Sequence, residues 1–297
     1  MPIIEINESL AEKLLPERDP NGNKGTFGRV FSFIGSANYV GACHLATEAM
    51  LRGGAGYTVL ASEDSVIDSV LQRFPEVIFK RVSETDNLRD SEIEEILKAS
   101  ASTDATLIGC GSGTSISLKG LTERLIETEC DSPLIIDADA INSIARYSKS
   151  DVLKKAKRQL VLTPHPLEFS RLSNIPVEEI EKGRIGIAKE FAASHGCILI
   201  LKGHRTVITD GETVYLNTTG SSALAKGGSG DALAGLIASL MASVSMAKSH
   251  TPCEISALSC YVHGLAGDEL SEVYSNFGVT PSDLPRQMAK ILKRLEK

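Results

Sequence analysis

The chain has 297 residues, of which 42% are hydrophobic and 23% are charged, and its glycines and prolines are scattered rather than periodic. This length and composition predict a globular protein with a full core and exclude a collagen, a coiled-coil rod and a disordered chain. The formal net charge of −7 and the lack of a basic stripe with interleaved aromatic residues argue against nucleic acid as a partner.

Targeting signals and metal-binding patterns do not occur in the sequence. The six cysteines are widely spread, with no CxxC pair and no Cys/His grouping at zinc spacing, so we expect mostly buried thiols. No positively charged region precedes the first apolar residues, and nowhere do 18 apolar residues run together. Neither secretion nor a membrane span is expected, and the prediction is a cytoplasmic protein.

Short runs rich in β-branched residues alternate with longer stretches of helical period, which predicts a mainly parallel sheet covered by helices on both faces. In chain order, the predicted strands are residues 30–34, 57–60, 105–108, 134–137, 160–163, 198–201, 206–209 and 214–216. The last two flank Asp210 and Gly211, which predicts an antiparallel hairpin. No linker separates two cores, so we expect one domain over residues 1–297, with residues 1–25 packed on it as an N-terminal extension.

Local chemistry marks several helix ends. A hydroxyl lies three residues before an acid, the spacing of a capping box, in three pairs: Ser91 and Glu94, Thr251 and Glu254, Thr280 and Asp283. We interpret the densest basic run as a solvated helix end, and it consists of Lys154, Lys155, Lys157 and Arg158.

The strongest functional signal is a glycine turn, Gly227-Gly-Ser-Gly-Asp231, that runs into an apolar helix of small residues. Glycines let a backbone approach phosphate closely, and the first-turn amides and dipole of a helix favour negative charge, so the turn predicts an anion-binding site. Its spacing is not that of a P-loop. Asp231 would repel a phosphate unless it serves as a base or a metal partner, and the structural alternative is that it only caps the helix.

Polar residues also follow other predicted strands, at the edge where open α/β sheets bind ligands. Residues 202–206 follow the strand 198–201 and are candidates for contact with a phosphate or a ribose, or else form a solvated strand end. His165 lies between two prolines that fix the backbone, which favours a ligand contact over a plain turn. Asp137 and Asp139 could hold Mg²⁺ through water or cap the next helix.

Two further glycine-rich segments, residues 35–42 and 109–113, also follow predicted strands, although neither is a GxGxxG fingerprint. By contrast, His263, Gly264, Asp268 and Glu269 lie in a late helical stretch, where core packing and a solvated face are the expected roles.

Five of these segments occur together in one order: Lys24-Gly-Thr-Phe-Gly28, Asp137-Ala-Asp-Ala140, Leu162-Thr-Pro-His-Pro-Leu-Glu168, Lys202-Gly-His-Arg-Thr206 and Gly227-Gly-Ser-Gly-Asp231. In this order the sequence resembles the ADP/ATP-dependent NAD(P)H-hydrate dehydratases of the ribokinase-like superfamily, over roughly residues 24–284. The resemblance implies a three-layer α/β/α sandwich with a mainly parallel central sheet.

The resemblance also implies an activity, a hydro-lyase reaction that returns the S epimer of hydrated NADH or NADPH to the reduced dinucleotide. A nucleotide phosphoryl bond is consumed, with ADP more usual than ATP in bacterial members and with Mg²⁺ bridging the phosphates. It further implies a homo-oligomer, such as a tetramer, in the stand-alone form that lacks an epimerase domain.

Residue roles carried over by position are likewise implied by the resemblance. The hydrated dinucleotide would contact Ala42, Gly113, His165 and Asp231, with Asp231 as the catalytic base. The adenine nucleotide would contact Lys202, Gly203, His204, Arg205, Thr206, Gly227, Gly228, Ser229 and Gly230. No metal ligand is assigned. The sequence departs from the family pattern near the nucleotide pocket at Cys110, Ser221, Ser222 and Lys226, where proline, asparagine, proline and threonine are more usual.

Two other functions fit the same glycine turn. A ribokinase-like kinase that phosphorylates a hydroxymethyl compound or a similar small alcohol would use the same turn and the same aspartate, and residues 163–168 favour the dehydratase over it. A non-catalytic adenylate-binding sensor is disfavoured, because the Asp231 carboxylate would only weaken phosphate binding.

Overall fold

The computed structural model describes residues 3–296 and contains one ten-stranded sheet. The strands are β1 (Ile3–Ile6), β2 (Arg29–Phe33), β3 (Tyr57–Glu63), β4 (Ile78–Val82), β5 (Ala105–Ile108), β6 (Leu134–Ile136), β7 (Leu160–Leu162), β8 (Cys197–Leu201), β9 (Val207–Thr209) and β10 (Val214–Asn217). Their order across the sheet is β1-β10-β9-β8-β7-β6-β5-β2-β3-β4, and every neighbouring pair is parallel except β8 with β9 and β9 with β10.

Thirteen α-helices within residues 3–296 connect and cover these strands. They are α1 (Glu8–Leu14), α2 (Val40–Arg52), α3 (Asp64–Arg73), α4 (Asp90–Ala101), α5 (Ile116–Glu127), α6 (Ala138–Tyr147), α7 (Pro166–Ser173), α8 (Val177–Lys182), α9 (Arg184–His195), α10 (Ser229–Ala242), α11 (Val244–Ser249), α12 (Pro252–Gly278) and α13 (Leu284–Leu295). Short 3₁₀ helices form at Ser150–Lys155, Ser222–Leu224 and Pro281–Asp283.

Helices cover both faces of the sheet because successive strand side chains point to opposite sides. In β7, Val161 packs into the core formed with α2, α10 and α12, whereas Leu160 and Leu162 pack into a second core against α5, α6, α7 and α9. This arrangement confirms the predicted three-layer α/β/α fold with a mainly parallel sheet.

All eight predicted strands form, with ends that differ by three residues at most, and the hairpin of β9 and β10 is antiparallel as expected. Two strands, β1 and β4, were not predicted from the sequence, and they are the two edges of the sheet. Edge strands are half exposed, so their residues lack the continuous apolar run of a central parallel strand. Of the predicted extension, residues 1 and 2 lie outside the described residues, and residues 3–6 pair with β10 as a parallel edge strand.

Two of the three predicted capping boxes form and one is wrong. Thr251 and Glu254 cap α12 reciprocally, and Thr280 and Asp283 do the same at the following 3₁₀ helix. At α4, however, Arg89 takes the cap position, and its amide donates to the Glu92 carboxylate at 2.8 Å. Glu92 also receives the Arg89 guanidinium at 2.7 Å, a second bond that no pairing of Ser91 with Glu94 would supply.

The basic run is solvated only in part. Lys154, Lys155 and Lys157 are exposed, as predicted, but Arg158 is buried. Its guanidinium donates to neutral oxygens that lie beside β5 and β6, and they are the Ser132 carbonyl and the hydroxyls of Ser100, Thr106 and Ser132. The expectation was wrong for Arg158 because these oxygens compensate the cost of its burial, and they are distant from it in sequence.

The six cysteines are free, and five of them are buried, as the sequence predicted. The exception is Cys130, which is partly exposed.

Candidate active site

The carboxyl ends of the parallel strands meet the first turn of α10 at one edge of the sheet. Asp137 follows β6 and is 1% exposed, and Lys202 follows β8 with its Nζ atom 3.1 Å from Oδ1 of Asp137. The Thr163 hydroxyl, which follows β7, donates to the same oxygen at 2.5 Å. Three neighbouring strands thus place an ammonium, a carboxylate and a hydroxyl within bonding distance, at the edge where ligands bind in such sheets.

The Lys202 ammonium keeps its charge in this setting. Burial alone would lower the pKa of Lys202, but the carboxylates of Asp137 and Glu168 outweigh burial and raise the pKa above its usual range. A permanent positive charge is therefore available beside the glycine turn.

Asp231 lies in the first turn of α10 and is partly buried. Burial and the negative charge of Asp137 raise the pKa of the Asp231 carboxyl to about 7, although Lys202 and the Cys110 thiol act in the opposite direction. A carboxylate with a pKa near neutrality is suited to accept a proton from a substrate and to release it again.

One group of three side chains among residues 3–296 has the spacing of a metal site. The candidate ligand atoms of Cys110, Asp137 and Asp231 lie within 4.8 Å of one another. As a set of three they do not fit Mg²⁺, because Mg²⁺ prefers oxygen to the thiol of Cys110 and both Asp137 oxygens already accept hydrogen bonds, Oδ2 from that thiol at 3.3 Å. Asp139 is similarly engaged, since its oxygens accept from the Gly113 amide and the Thr114 hydroxyl.

The glycine turn shapes the N-terminus of α10. Gly228 has a φ of 104°, and a Cβ there would lie 2.4 Å from Leu45, so only glycine fits. A Cβ on Gly230 would lie 3.1 Å from Nζ of Lys202, so the glycine turn and the ammonium are close neighbours. Within residues 3–296 the amides of Gly230 and Asp231 donate no hydrogen bond, and they are the donors with which a helix start binds anions.

A cavity of about 700 Å³ opens between the glycine turn, the end of β8 and α12. Six residues of the predicted nucleotide set line it: Lys202, Gly203, His204, Thr206, Ser229 and Gly230. Gly227 and Gly228 lie in the adjoining turn but not in the lining. The Arg205 side chain turns away to form an ion pair with Glu5 at 2.6 Å and does not line the cavity either.

The rest of the cavity lining was not predicted from the sequence, apart from the position of Ser221 and Ser222 near the nucleotide pocket. It consists of Asn217, Thr219, Gly220, Ser221, Ser222, Leu224, Ala225, Leu233, Cys260, His263 and Gly264. His263 is buried as expected for core packing, but it also lines the cavity, and its Nε2–H donates to the Ser229 carbonyl at 2.9 Å. Burial lowers the pKa of His263 to about 4, so the imidazole is neutral. Asp268, which was expected on a solvated face, also has a structural contact, because its carboxylate accepts a hydrogen bond from the Gly220 amide at 2.8 Å.

Two departures from the family pattern have structural roles. Lys226 points away from the cavity, because its ammonium donates to the carbonyl of Phe277 at 2.7 Å and to that of Val279. Ser221 donates to Asn276 at 3.1 Å. Both contacts fasten the loop before the glycine turn to the end of α12.

The residues assigned to the dinucleotide lie at the same sheet edge. Ala42, in the first turn of α2, packs against Gly111, where a Cβ would lie 2.7 Å from the Ala42 Cβ. Gly113 has a φ of 76° and open space around it. His165 caps α7, because its Nδ1 atom accepts from the amides of Leu167 and Glu168 at 3.2 Å.

The protonation of His165 follows from this cap. Burial lowers the pKa of His165, and the nearby positive charges of Lys202 and Arg171 lower it further, which favours the neutral ring. Because Nδ1 accepts the two amides, the neutral ring carries its proton on Nε2. The side chain remains 47% exposed, and Nε2 makes no hydrogen bond within residues 3–296, although it lies 3.4 Å from Oε1 of Glu168. The two interpretations of His165, helix cap and ligand contact, are therefore compatible.

None of the helices within residues 3–296 combines the length and the hydrophobicity that crossing a bilayer requires.

Comparison with known proteins identifies relatives along most of the chain. A family model described as NAD(P)H-hydrate dehydratase matches residues 31–290. The ADP-dependent (S)-NAD(P)H-hydrate dehydratase of Bacillus subtilis is 32% identical over 285 residues, 95% of each chain. The bifunctional NAD(P)H-hydrate repair enzyme Nnr of Thermofilum pendens is 33% identical over 98% of this chain and 54% of its own. The chain thus spans about half the length of this bifunctional relative.

Solved structures give the same result. The Bacillus subtilis ADP/ATP-dependent NAD(P)H-hydrate dehydratase, crystallised with ATP and Mg²⁺, superposes over 100% of both chains with a TM-score of 0.82 and 30% identity. A ribokinase-like superfamily protein of Enterococcus faecalis gives a TM-score of 0.83 with 26% identity over 99% of this chain and 96% of its own. A hydroxyethylthiazole kinase of Pyrococcus horikoshii, 17% identical over 97% of this chain and 93% of its own with a TM-score of 0.60, shares the fold alone.

Proposed function

Because the chain belongs to the NAD(P)H-hydrate dehydratase family, we propose that it converts the S epimer of hydrated NADH or NADPH to the reduced dinucleotide with ADP or ATP as co-substrate. The observation that carries the proposal is the position of Asp231, a carboxyl with a pKa of about 7, at a helix start that presents free amides beside the Lys202 ammonium. The relatives from Bacillus subtilis and Neisseria meningitidis are ADP-dependent (S)-NAD(P)H-hydrate dehydratases, which favours ADP as the phosphoryl donor.

The reaction needs a better leaving group than hydroxide. Asp231 would accept the proton of the ring hydroxyl while the hydroxyl oxygen attacks the terminal phosphorus of the nucleotide. This attack breaks the bond between that phosphorus and the leaving phosphate oxygen. With ADP the products of this transfer are AMP and a phosphate ester of the hydrate. The ring nitrogen then pushes out phosphate, and loss of a ring proton restores the reduced dinucleotide.

Three groups of this chain face the charge that moves during the transfer. The free amides of Gly230 and Asp231 would donate to phosphoryl oxygens, and the Lys202 ammonium would balance their negative charge. Asp137 holds Lys202 in place and also keeps the pKa of Asp231 raised. General-base assistance of this kind contributes about 10²- to 10⁴-fold in rate.

Mg²⁺ is expected with the nucleotide, as the resemblance implies. The cluster of Cys110, Asp137 and Asp231 is not a fitting Mg²⁺ site as a set, because it includes a thiol and the Asp137 oxygens are already hydrogen-bonded. We therefore propose that the phosphate oxygens of the nucleotide, and not side chains of the protein, would hold the ion.

The same chemistry defines the two binding regions. We propose that the cavity of about 700 Å³ takes the adenine nucleotide, since six of the nine residues assigned to it line that cavity. We place the hydrated dinucleotide at the ends of β2, β5 and β7, next to Ala42, Gly113 and His165. Asp231 lies where the two regions meet.

The direct test mixes the purified protein with hydrated NADH and Mg²⁺, adds ADP or ATP in separate runs, and follows the absorbance of the reduced nicotinamide. Recovery that requires a nucleotide and stops when the S epimer is exhausted would establish the dehydratase and name its donor. A stable phosphorylated product from a small hydroxymethyl alcohol, with no recovery of NADH, would instead identify a kinase.

We also propose a cytoplasmic homo-oligomer. Support for self-association comes from the end of α12, where Val273, Tyr274 and Phe277 are 71%, 52% and 95% exposed. Light scattering of the purified protein tests the oligomer, and fractionation of the source cells tests the location. A monomer at micromolar concentration would refute the first of these.

A further inference from the structure

Arg184, the first residue of α9, holds the turn that carries Lys202 without lining the nucleotide cavity. Its Nη2 atom donates to the carbonyl oxygens of Leu201 at 2.9 Å and of Lys202 at 3.1 Å. The side chain borders a neighbouring groove instead of the cavity of about 700 Å³. Arg184 therefore acts on the backbone of the site and touches none of the space that the nucleotide would fill.

The Lys202 peptide is fixed on both sides. Its amide donates to the Pro164 carbonyl at 2.9 Å, which ties it to the segment after β7, and its carbonyl accepts from Arg184. Hydrogen bonds from a charged donor are stronger than those between neutral groups, so the bond from Arg184 to the carbonyl is stronger than the bond from the amide to Pro164. The two bonds restrain the backbone from which the Lys202 side chain leaves β8.

Gly203 and Glu181 lock the guanidinium itself. Gly203 has a φ of 148°, and a Cβ there would lie 2.8 Å from Nη2 of Arg184, so the guanidinium packs directly on the glycine backbone. The Glu181 carboxylate accepts from Nη1 at 2.8 Å, and the Arg184 side chain is only 13% exposed. A planar guanidinium with three acceptors in fixed directions is a geometry that the flexible ammonium of lysine reproduces only in part.

We propose that Arg184 is a positioning residue for the nucleotide, which orients the turn at Lys202 and Gly203 so that the ammonium remains beside Asp137 and within reach of the phosphates. This inference rests on the proposed nucleotide site. Removal of the guanidinium would free the two carbonyls to seek water and let the turn relax, which moves the ammonium. Nucleotide affinity should fall, whereas the hydrate contacts at Ala42, in α2, and at His165, the N-cap of α7, should stay intact.

The experiment compares Arg184→Gln and Arg184→Lys with the wild-type protein. The dissociation constant of ADP is measured by calorimetry without the hydrate, and KM for ADP, KM for the hydrate and kcat are measured separately. We expect Arg184→Gln to weaken ADP binding and raise its KM by about tenfold with the KM of the hydrate unchanged, and Arg184→Lys to fall in between. Glu190→Gln, an exposed change on the same helix, is the matched control.

The outcomes separate this inference from the proposed function. Wild-type protein that binds no ADP would refute the nucleotide site itself. Wild-type protein that binds ADP while Arg184→Gln keeps the same ADP affinity, or loses affinity for the hydrate to the same extent, would refute the positioning role. If Arg184→Gln does not fold by circular dichroism, Arg184→Lys decides the matter, because unchanged ADP affinity in that variant contradicts the restraint of the carbonyls by a rigid guanidinium.

Discussion

The Nζ atom of Lys202 lies 3.1 Å from Oδ1 of Asp137, and this ion pair joins the ends of β8 and β6 beneath the glycine turn. The pair has two effects on Asp231. The negative charge of Asp137 raises the pKa of Asp231, and the positive charge of Lys202 lowers it. The resulting value of about 7 is a balance between these charges and burial, so each partner of the pair should alter the behaviour of the base when it is changed.

Replacement of Lys202 by methionine should weaken nucleotide binding and also shift the pH dependence of the reaction. The variant lacks the permanent positive charge that would face the nucleotide phosphates, which should raise the KM for ADP by at least about tenfold. The carboxyl of Asp231 loses a cation that lowers its pKa, so the acid limb of the rate profile should move to higher pH. Steady-state kinetics between pH 5.5 and 9 measure both effects, and an acid limb that moves to lower pH would contradict the electrostatic account.

Asp231→Asn should retain nucleotide binding and lose turnover. Asparagine preserves the size of the side chain but cannot accept the hydroxyl proton, so kcat should fall by at least about 100-fold. The dissociation constant of ADP should stay equal or improve, because a negative charge near the phosphates is removed. Calorimetry and the absorbance assay measure the two quantities, and near-normal turnover would remove Asp231 from the role of base.

The wild-type reaction should require the ionised form of Asp231. Since the pKa of Asp231 in the protein without substrate is raised to about 7, kcat/KM should increase with pH and level off above that value. Below it, each unit of pH should cost about tenfold in rate. The profile is recorded with buffer ionic strength held constant, and a rate that is flat from pH 5 to 8 would show that this carboxyl does not limit the reaction.

The sheet and the strand-end residues were predictable from the sequence for a common reason. A central parallel strand is buried on both faces and is read as a continuous apolar run, as in β8, and the residues that follow such a strand necessarily reach the ligand-binding edge. Asp137, His165 and Lys202 were therefore placed at the site without any tertiary information. The edge strands β1 and β4 lack that pattern and were missed.

The side of the proposed nucleotide cavity that α12 forms could not be predicted in this way. His263 reaches the Ser229 carbonyl across 34 residues of sequence, and it does so because α12 packs against α10. Arg205, which is adjacent to lining residues, instead pairs with Glu5 on β1, a strand that was not predicted from the sequence. In both cases the decisive partner is brought near by tertiary packing, which a local pattern does not encode.

Gly264→Ala should destabilise the protein and distort the cavity wall. An added Cβ would lie 2.2 Å from the Thr219 hydroxyl and 2.7 Å from its backbone, so the loop before the glycine turn must move. Overpacking of this kind costs roughly 1–3 kcal/mol in the free energy of unfolding. Gly120→Ala on α5 is the matched control, because nothing lies within 4 Å of its Cβ position, and it should be neutral or stabilising by about 0.5–1 kcal/mol. Urea unfolding measures both, and equal effects would contradict the close approach at Thr219.

The neutral imidazole of His263 should make the protein acid-sensitive. Burial lowers its pKa from 6.5 to about 4, so the unfolded chain binds a proton that the folded chain refuses over that interval. The free energy of unfolding is therefore unaffected by this group above pH 6.5. It decreases as the pH falls toward 4, by at most about 3 kcal/mol. His263→Gln removes the titrating group, so the difference in unfolding free energy between wild type and variant should shrink between pH 8 and pH 5. Urea titrations at the two pH values measure it, and a constant difference would show that His263 is protonated equally in both states.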